Sequence, residues 1–352
     1  MLDLNDVGVN QNFFELGGSS LQAAIMTSRL TEDLGVRVPT SLLFDLADIA
    51  ALSNRIAELH RDVIQQRFGQ ESVEAYDRRQ LNRTGAAKFE HSLIAPLKSG
   101  GDRDPIFMIH PPGGIVICYR ELAKEIDRDQ PLLGIRSRGL HGQEALPDSI
   151  ETMASDYVDA IRLAQPSGPY VIGGWSLGGV IAYEVTQQMI AAGETIGRLI
   201  LLDSTIPEGA SDRVDPNESS QVGLEYGIDL TLDQLGQLDA DDQLPFLWQH
   251  AVNLGVVDET SPREVVKRVL DDLKNLFHHH VKLTSGYRIK PLAAPTLLVR
   301  PTEVPAQVKT SEDRGWRQLI SDVDVRFVSG HHHSMVQAPH VSELARVIEQ
   351  SL

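Results

Sequence analysis

Hydrophobic residues follow two different rhythms along this chain. Over 48–59 the run DIAALSNRIAEL sets Ile49, Leu52, Ile56 and Leu59 at helical spacing, which predicts an amphipathic helix. The rest of 1–62 also reads as helix-like segments, so a small all-α unit is expected there. Beyond about residue 91 the rhythm changes. Short apolar runs, IFMI (106–109), PLLGI (131–135), YVIGG (170–174), LILL (199–202), TLLV (296–299) and VRFV (325–328), alternate with helix-length segments. Each run is too short for a buried helix and lacks strict alternation, as expected of strands covered on both faces. A mostly parallel α/β sheet over 91–352 follows.

Two stretches do not fit either rhythm. From Arg61 to Glu90 the chain is mostly charged or polar without a sustained apolar face, which suits a linker, drawn at 63–90. Between LILL and TLLV the gap is far longer than a single crossover helix needs. Its excess, with LTLDQLGQL, LPFLWQHAVNL and REVVKRVLDDLKNLF, reads as an inserted helical lid at about 207–290. There is no internal repeat and no low-complexity tract.

The length of 352 residues suits two domains. With 32 Lys and Arg against 49 Asp and Glu, the net charge of −17 repels a polyanion and removes the counterion-release drive for nucleic-acid binding. No apolar run approaches the length needed to cross a bilayer. The single cysteine, Cys118, cannot form an intrachain disulfide and reads as a small buried apolar group. Met1 is followed by LDLNDV rather than a basic and then apolar stretch, so the cytoplasm is the expected compartment and no membrane partner is expected.

Two constellations carry chemistry. In NFFELGGSSLQAAIMTSRL, two glycines and two serines precede an amphipathic segment, which by itself is a turn and a helix N-cap. The longer string, FFELGGxSL followed by VPTSLLFDLADIAAL at 38–52, resembles the carrier domains of nonribosomal peptide synthetases and related polyketide synthases. The resemblance implies covalent 4'-phosphopantetheine on the serine before the leucine, Ser20 rather than Ser19. A phosphodiester there lies near the positive end of a helix dipole. Family carriers have a further helix before LDLNDVGVNQNFF, so residues 1–62 are expected to be a carrier lacking its first helix. An acidic face with Glu32, Asp33, Asp45 and Asp48 is expected to be solvated.

The second constellation is GWSLG, set between an apolar strand and a helix opening. GxSxG in that setting is the nucleophile elbow of α/β-hydrolases, with Gly174 and Gly178 allowing the sharp turn that presents Ser176. Trp175 would support the turn or line a pocket. A serine hydroxyl needs a histidine to take its proton, and the histidine needs an acid. Two acids compete, Asp203 after LILL and Glu303 after TLLVRP. The domain as a whole resembles terminal thioesterases of peptide and polyketide assembly lines. That resemblance favours Asp203, in an LLD string, and places the base at His332 of VSGHHHSMVQAPHV, with His331 and His333 as neighbours.

The oxyanion hole needs two N–H donors, the first from Leu177 after the nucleophile. The second is implied by HPPGG at 110–114, which resembles the HPxGG of these thioesterases. The usual donor there follows HP, but here it is Pro112, which has no N–H, so Gly113 is the substitute. His278, His279 and His280 form a second histidine run without CxxC or HExxH partners. They are expected on the lid surface, and no metal site is expected.

Taken together, the resemblances imply a carrier followed by a serine thioesterase that releases an acyl or peptidyl chain by hydrolysis or cyclisation. The implied partners are the acyl thioester substrate, a phosphopantetheinyl transferase and upstream synthetase or synthase modules. An editing hydrolase, or a carrier and docking fragment whose hydrolase is inactivated by Pro112, remain alternatives.

Overall fold

The computed structural model describes residues 20–38, 48–69, 93–139, 145–207, 275–284, 286–304 and 311–352, with isolated residues in 7–16 and 42–46. The chain divides into two compact units, Met1–Lys88 with Tyr226–Asp272 and Phe89–Glu225 with Leu273–Leu352. Among the described residues no helix is long and apolar enough to cross a membrane, and no cluster of three or more His, Cys, Asp or Glu is arranged to hold a metal ion.

The first unit contains helices α1 (Ser20–Leu34), α2 (Ile49–Leu59) and α3 (Arg61–Phe68). A small core of Phe13, Ala23, Val38, Leu43, Leu52 and Ile56 holds them. Asp48 is the N-cap of α2, its carboxylate accepting from Ala51 N at 2.7 Å, rather than part of a solvated acidic face. Such a cap contributes about 1 kcal/mol. The buried stripe of α2 runs through Ala51, Leu52, Asn54 and Ile56, while Ile49 and Leu59 at the two ends are exposed. Helix α3 lies where composition alone indicated a linker. It buries no residue fully, but its Ile64 leans on the small core. Residues 70–92, the remainder of the expected linker, fall outside the described residues.

The second unit is built on a seven-stranded sheet. Its strands are β1 (Ile94–Lys98), β2 (Ile106–Ile109), β3 (Leu132–Ile135), β4 (Tyr170–Trp175), β5 (Ile196–Leu202), β6 (Thr296–Pro301) and β7 (Val323–Val328). Their spatial order is β1-β3-β2-β4-β5-β6-β7, with β1 antiparallel to β3 and every other pair parallel. All six sequence-expected strands are present. Only β1 was not anticipated; it is an edge strand, where Pro96 is tolerated because its missing N–H faces away from the ladder.

The unbroken apolar runs divide by residue parity, since successive side chains point to opposite faces. Phe107, Ile109, Leu199 and Leu201 pack on one face against α5 (Ile150–Ala164) and α6 (Leu177–Ala191). Ile106, Met108, Ile200 and Leu202 pack on the other face against α4 (Arg120–Glu125) and α7 (Val341–Glu349). Each fully buried side chain of this size contributes roughly 1.5–3 kcal/mol of transfer free energy. The result is the α/β-hydrolase arrangement of a mostly parallel sheet covered by helices on both faces, its loops gathered at the carboxyl ends of the strands.

Of the expected lid, residues 208–274 lie outside the described residues. The helical stretch 275–284 and the chain that follows pack within the sheet unit, with Leu276, Phe277, Tyr287 and Leu292 buried.

Candidate active site

Ser176 stands between β4 and α6 with φ 58° and ψ −125°, a left-handed conformation that costs a non-glycine residue on the order of 1–3 kcal/mol. Close packing of the strand on the helix enforces the bend. A Cβ on Gly174 would collide with the Gly178 backbone, and one on Gly178 would collide with the Ile109 carbonyl, so both positions exclude a side chain. Hydrogen bonds secure the turn: Ser176 N donates to Leu202 O at 2.9 Å and Gly179 N donates to Ser176 O at 3.1 Å. Leu177 is the first residue of α6, so its N–H has no intrahelical acceptor.

The parallel register sets Trp175 opposite Leu202, so Ser176 and Asp203, each one residue further on, leave adjacent strands side by side. Asp203 is almost wholly buried, with φ 45°, and its N–H donates to Val299 O at 2.8 Å. His332 Nδ1 donates to Asp203 Oδ2 at 2.6 Å, with the ring partly exposed. The other carboxylate oxygen forms an ion pair with Arg314 at 2.6 Å, and Arg300 stands 3.9 Å away. Burial and the neighbouring Arg314 charge push the Arg300 guanidinium down from its usual value. Trp175 ties the base to the elbow: its indole N–H donates to His332 O at 3.1 Å, and the two rings lie 5.1 Å apart.

Nδ1 of His332 is thus committed to the carboxylate, which leaves Nε2 as the free proton acceptor. No hydrogen bond joins the Ser176 hydroxyl to this ring among the described residues; such contacts often tighten only when substrate binds. Glu303, the competing acid, is exposed, and its backbone N–H donates to Gly330 O at 2.9 Å. The geometry therefore joins His332 to Asp203, sets Ser176 and Asp203 at the ends of adjacent strands, and leaves Glu303 outside the hydrogen-bonded pair.

The HPPGG loop begins against the elbow, where the Ile109 and His110 carbonyls approach Gly178. Gly114 N donates to Pro111 O at 2.9 Å, closing a turn with Pro112 and Gly113 at its centre. The Gly113 N–H enters no hydrogen bond among the described residues.

Two histidines outside the expected set support this loop. His110 is fully buried, with Nδ1 2.7 Å from Pro111 O and Nε2 2.6 Å from the Tyr157 hydroxyl. His280 is fully buried too, not on a lid surface as its sequence context suggested. Its Nδ1 bonds the Pro112 carbonyl and its Nε2 lies 2.9 Å from Ser137 Oγ. The rings stack at 4.9 Å. Burial lowers His110 to about 4 and His280 well below its ordinary value. The signal for His280 was in the sequence: Leu276, Phe277 and His280 share a helix face at i, i+1 and i+4. Cys118, expected buried, is half-exposed beside the α4 side of the core.

Comparison with known proteins adds to this geometry. A thioesterase domain model matches residues 104–352 and a phosphopantetheine attachment site model matches residues 1–56. The chain is 28% identical over 360 residues to a dimodular nonribosomal peptide synthase of Bacillus subtilis (strain 168), covering 100% of this chain and 14% of that protein. It is similar to the crystal structure of a holo four-domain nonribosomal peptide synthetase bound to AMP and glycine, at 25% identity and TM-score 0.63, covering 99% of this chain and 25% of that one. A thioesterase domain in covalent complex with a fluorophosphonate nocardicin G analogue is 26% identical with TM-score 0.53, covering 74% of this chain and 99% of that domain. The chain thus spans 14% and 25% of the lengths of the two synthetases.

Proposed function

We propose a function from the premise that this chain belongs to the thioesterase domain family and carries a phosphopantetheine attachment site ahead of that domain. It takes an acyl or peptidyl chain from the carrier onto Ser176 and frees it by hydrolysis or cyclisation. The observation that carries the reading is the His332 to Asp203 hydrogen bond of 2.6 Å, made one residue beyond the strand that pairs with the Ser176 elbow.

The carrier residues fit their group. Ser20 opens the 15-residue helix α1, whose first turn holds no acidic residue, so a phosphodiester on Ser20 meets the positive end of the helix dipole without like-charge repulsion. When attached, 4'-phosphopantetheine supplies the thiol on which the acyl chain rides as a thioester. A phosphopantetheinyl transferase loads Ser20, upstream synthetase modules deliver the chain, and the cytoplasm is the compartment.

At the second unit, His332 Nε2 takes the Ser176 proton as Oγ bonds to the thioester carbonyl carbon. Asp203 stabilises the imidazolium and holds the ring in the tautomer that leaves Nε2 free. The Leu177 and Gly113 N–H groups hold the oxyanion. His332 returns the proton to the departing sulfur, leaving an ester on Ser176. Water, or a hydroxyl or amine within the acyl chain, then gives its proton to His332 and attacks that ester; His332 passes the proton to the departing Ser176 Oγ, releasing an acid, a lactone or a lactam and restoring both side chains.

A fluorophosphonate probe tests this directly. Peptide mass spectrometry should find the label on Ser176, and Ser176→Ala should lose both the label and the turnover of an acyl-pantetheine thioester mimic. An unlabelled, inert wild-type chain would instead favour a scaffold disabled at Pro112. Turnover by Ser176→Ala within about tenfold of wild type would remove the nucleophile assignment.

A further inference from the structure

We propose that His280 is a positioning residue for the oxyanion-binding loop: by gripping the Pro112 carbonyl it fixes the orientation of the Pro112–Gly113 peptide, and so aims the Gly113 N–H. The proposal rests on the reading above that Gly113 serves the reaction.

The need for such a grip follows from the turn itself. Residues 111–114 form a β-turn closed by Gly114 N donating to Pro111 O, with Pro112 and Gly113 in the central positions. Type I and type II turns differ chiefly in which way the central peptide faces. Proline in the first central position suits both types, and glycine in the second opens the left-handed region that type II requires. The Pro-Gly pair alone therefore leaves the peptide free to turn over. Here Gly114, the residue that closes the turn, has a left-handed φ of 81°.

A trans peptide points its carbonyl and its N–H in opposite directions. Whatever holds the Pro112 oxygen consequently sets the direction of the Gly113 N–H. His280 Nδ1 makes that contact, and since a carbonyl can only accept, Nδ1 carries the proton. The ring is then an acceptor at Nε2, where the Ser137 hydroxyl stands 2.9 Å away with Arg138 O as its alternative partner at 2.8 Å. Ser137 also donates its backbone N–H to Gly114 O at 2.9 Å, so one residue braces both the ring and the end of the turn.

His110 repeats the arrangement one residue earlier. Its Nδ1 holds Pro111 O at 2.7 Å, its Nε2 meets the Tyr157 hydroxyl at 2.6 Å, and its ring stacks on His280 at 4.9 Å and 29°. Pro111 and Pro112 lack N–H groups, so this loop has few backbone donors of its own. Two buried imidazoles, which burial keeps neutral, supply the missing restraint through its carbonyls instead.

The test uses the full chain labelled with 15N-glycine, in wild type, His280→Ala and His280→Asn. An asparagine amide N–H occupies nearly the place of the imidazole Nδ1–H. His280→Ala should lower kcat on an acyl-pantetheine thioester mimic about 100-fold with KM within about twofold, the pattern of a lost transition-state donor. The Gly113 amide resonance should move in the same variant, and His280→Asn should recover at least about tenfold of the lost kcat. An unmoved Gly113 resonance, or a kcat within about threefold of wild type in His280→Ala, would overturn the proposal. So would equal losses of kcat and thermal midpoint in both variants, because His280 would then only fill space. If wild type failed to take a fluorophosphonate label, the acyl-transfer reading would fall while the Gly113 resonance still reported on the grip.

Discussion

The chain contains the tripeptide His-His-His twice, at 278–280 and at 331–333, and the two copies arrive at opposite chemistry. In the later run the middle ring sits partly exposed at the carboxyl edge of the sheet with Nδ1 on the Asp203 carboxylate at 2.6 Å. In the earlier run the last ring is fully buried with Nδ1 on a backbone carbonyl and a second imidazole stacked on it. A carboxylate can stabilise an imidazolium, whereas a neutral carbonyl in a desolvated site can only orient a neutral ring. In the function proposed above, one residue type therefore serves as a proton carrier in one place and a fixed donor in the other. The partner at Nδ1 and the surrounding water decide which.

The largest effect comes from erasing that difference. Asp203→Asn replaces the carboxylate under His332 with a neutral amide and so makes its surroundings resemble those of His280. Turnover should fall by roughly three to four orders of magnitude, as for other triad acids, equivalent to about 4–5.5 kcal/mol of transition-state stabilisation. Glu303→Gln, made on the exposed competing acid, should stay within about twofold of wild type in the same steady-state assay. A reversal of the two results would move the acid to the end of β6.

A smaller effect is expected in acid, from the rings that burial keeps neutral. Burial lowers His110 to about 4 against about 6.5 when unfolded, so between those values the unfolded chain binds more protons than the fold. Stability contributed by the neutral ring is present above about pH 6.5 and is lost as pH falls toward about 4, by up to roughly 3 kcal/mol for His110. His280, lowered by burial and by His110, acts in the same direction. So does His333, lowered to about 4 by burial and by the His332 charge. Other charges near the buried pair belong to Arg136, Arg138 and Asp156 around Tyr157 and to His279 beside His280. Unfolding midpoints measured between pH 7 and 4.5 should decline, and His110→Asn should flatten part of that decline. A midpoint independent of pH would show that the buried rings titrate normally.

Much of this was readable beforehand, for reasons that differ by residue. The strands β2 to β6 are visible because central strands are apolar on both faces, the edge strand β7 because its VRFV run is still largely apolar, and the GWSLG elbow because its turn admits almost nothing else. Strand β1 escaped notice because an edge strand containing Pro96 needs no such run. His280 escaped because three consecutive histidines inside a long inserted segment suggest solvent. Only its register with Leu276 and Phe277 shows that one of the three faces inward. The ion pair of Arg314 with Asp203 joins residues far apart in the chain, with nothing local in the sequence to announce it. Choosing Asp203 over Glu303 required the resemblance to assembly-line thioesterases, because both acids follow strands in similar fashion.

The smallest effect sharpens the comparison by showing how little the tripeptide matters as such. His278 and His331, the first residue of each run, are both exposed, and neither side chain holds a carbonyl or carboxylate of the site. His331 Nδ1 does accept from His333 N at 3.3 Å, a long bond at a solvent-facing turn. Alanine at either position should therefore change stability by no more than about 0.5 kcal/mol and leave kcat on a thioester mimic within about twofold. Thermal denaturation and steady-state kinetics of the two single variants would check this. A loss of kcat beyond about tenfold in His331→Ala alone would mean that the base is shared along the later run, and the contrast between a proton carrier and a fixed donor would then rest on three rings and not on one.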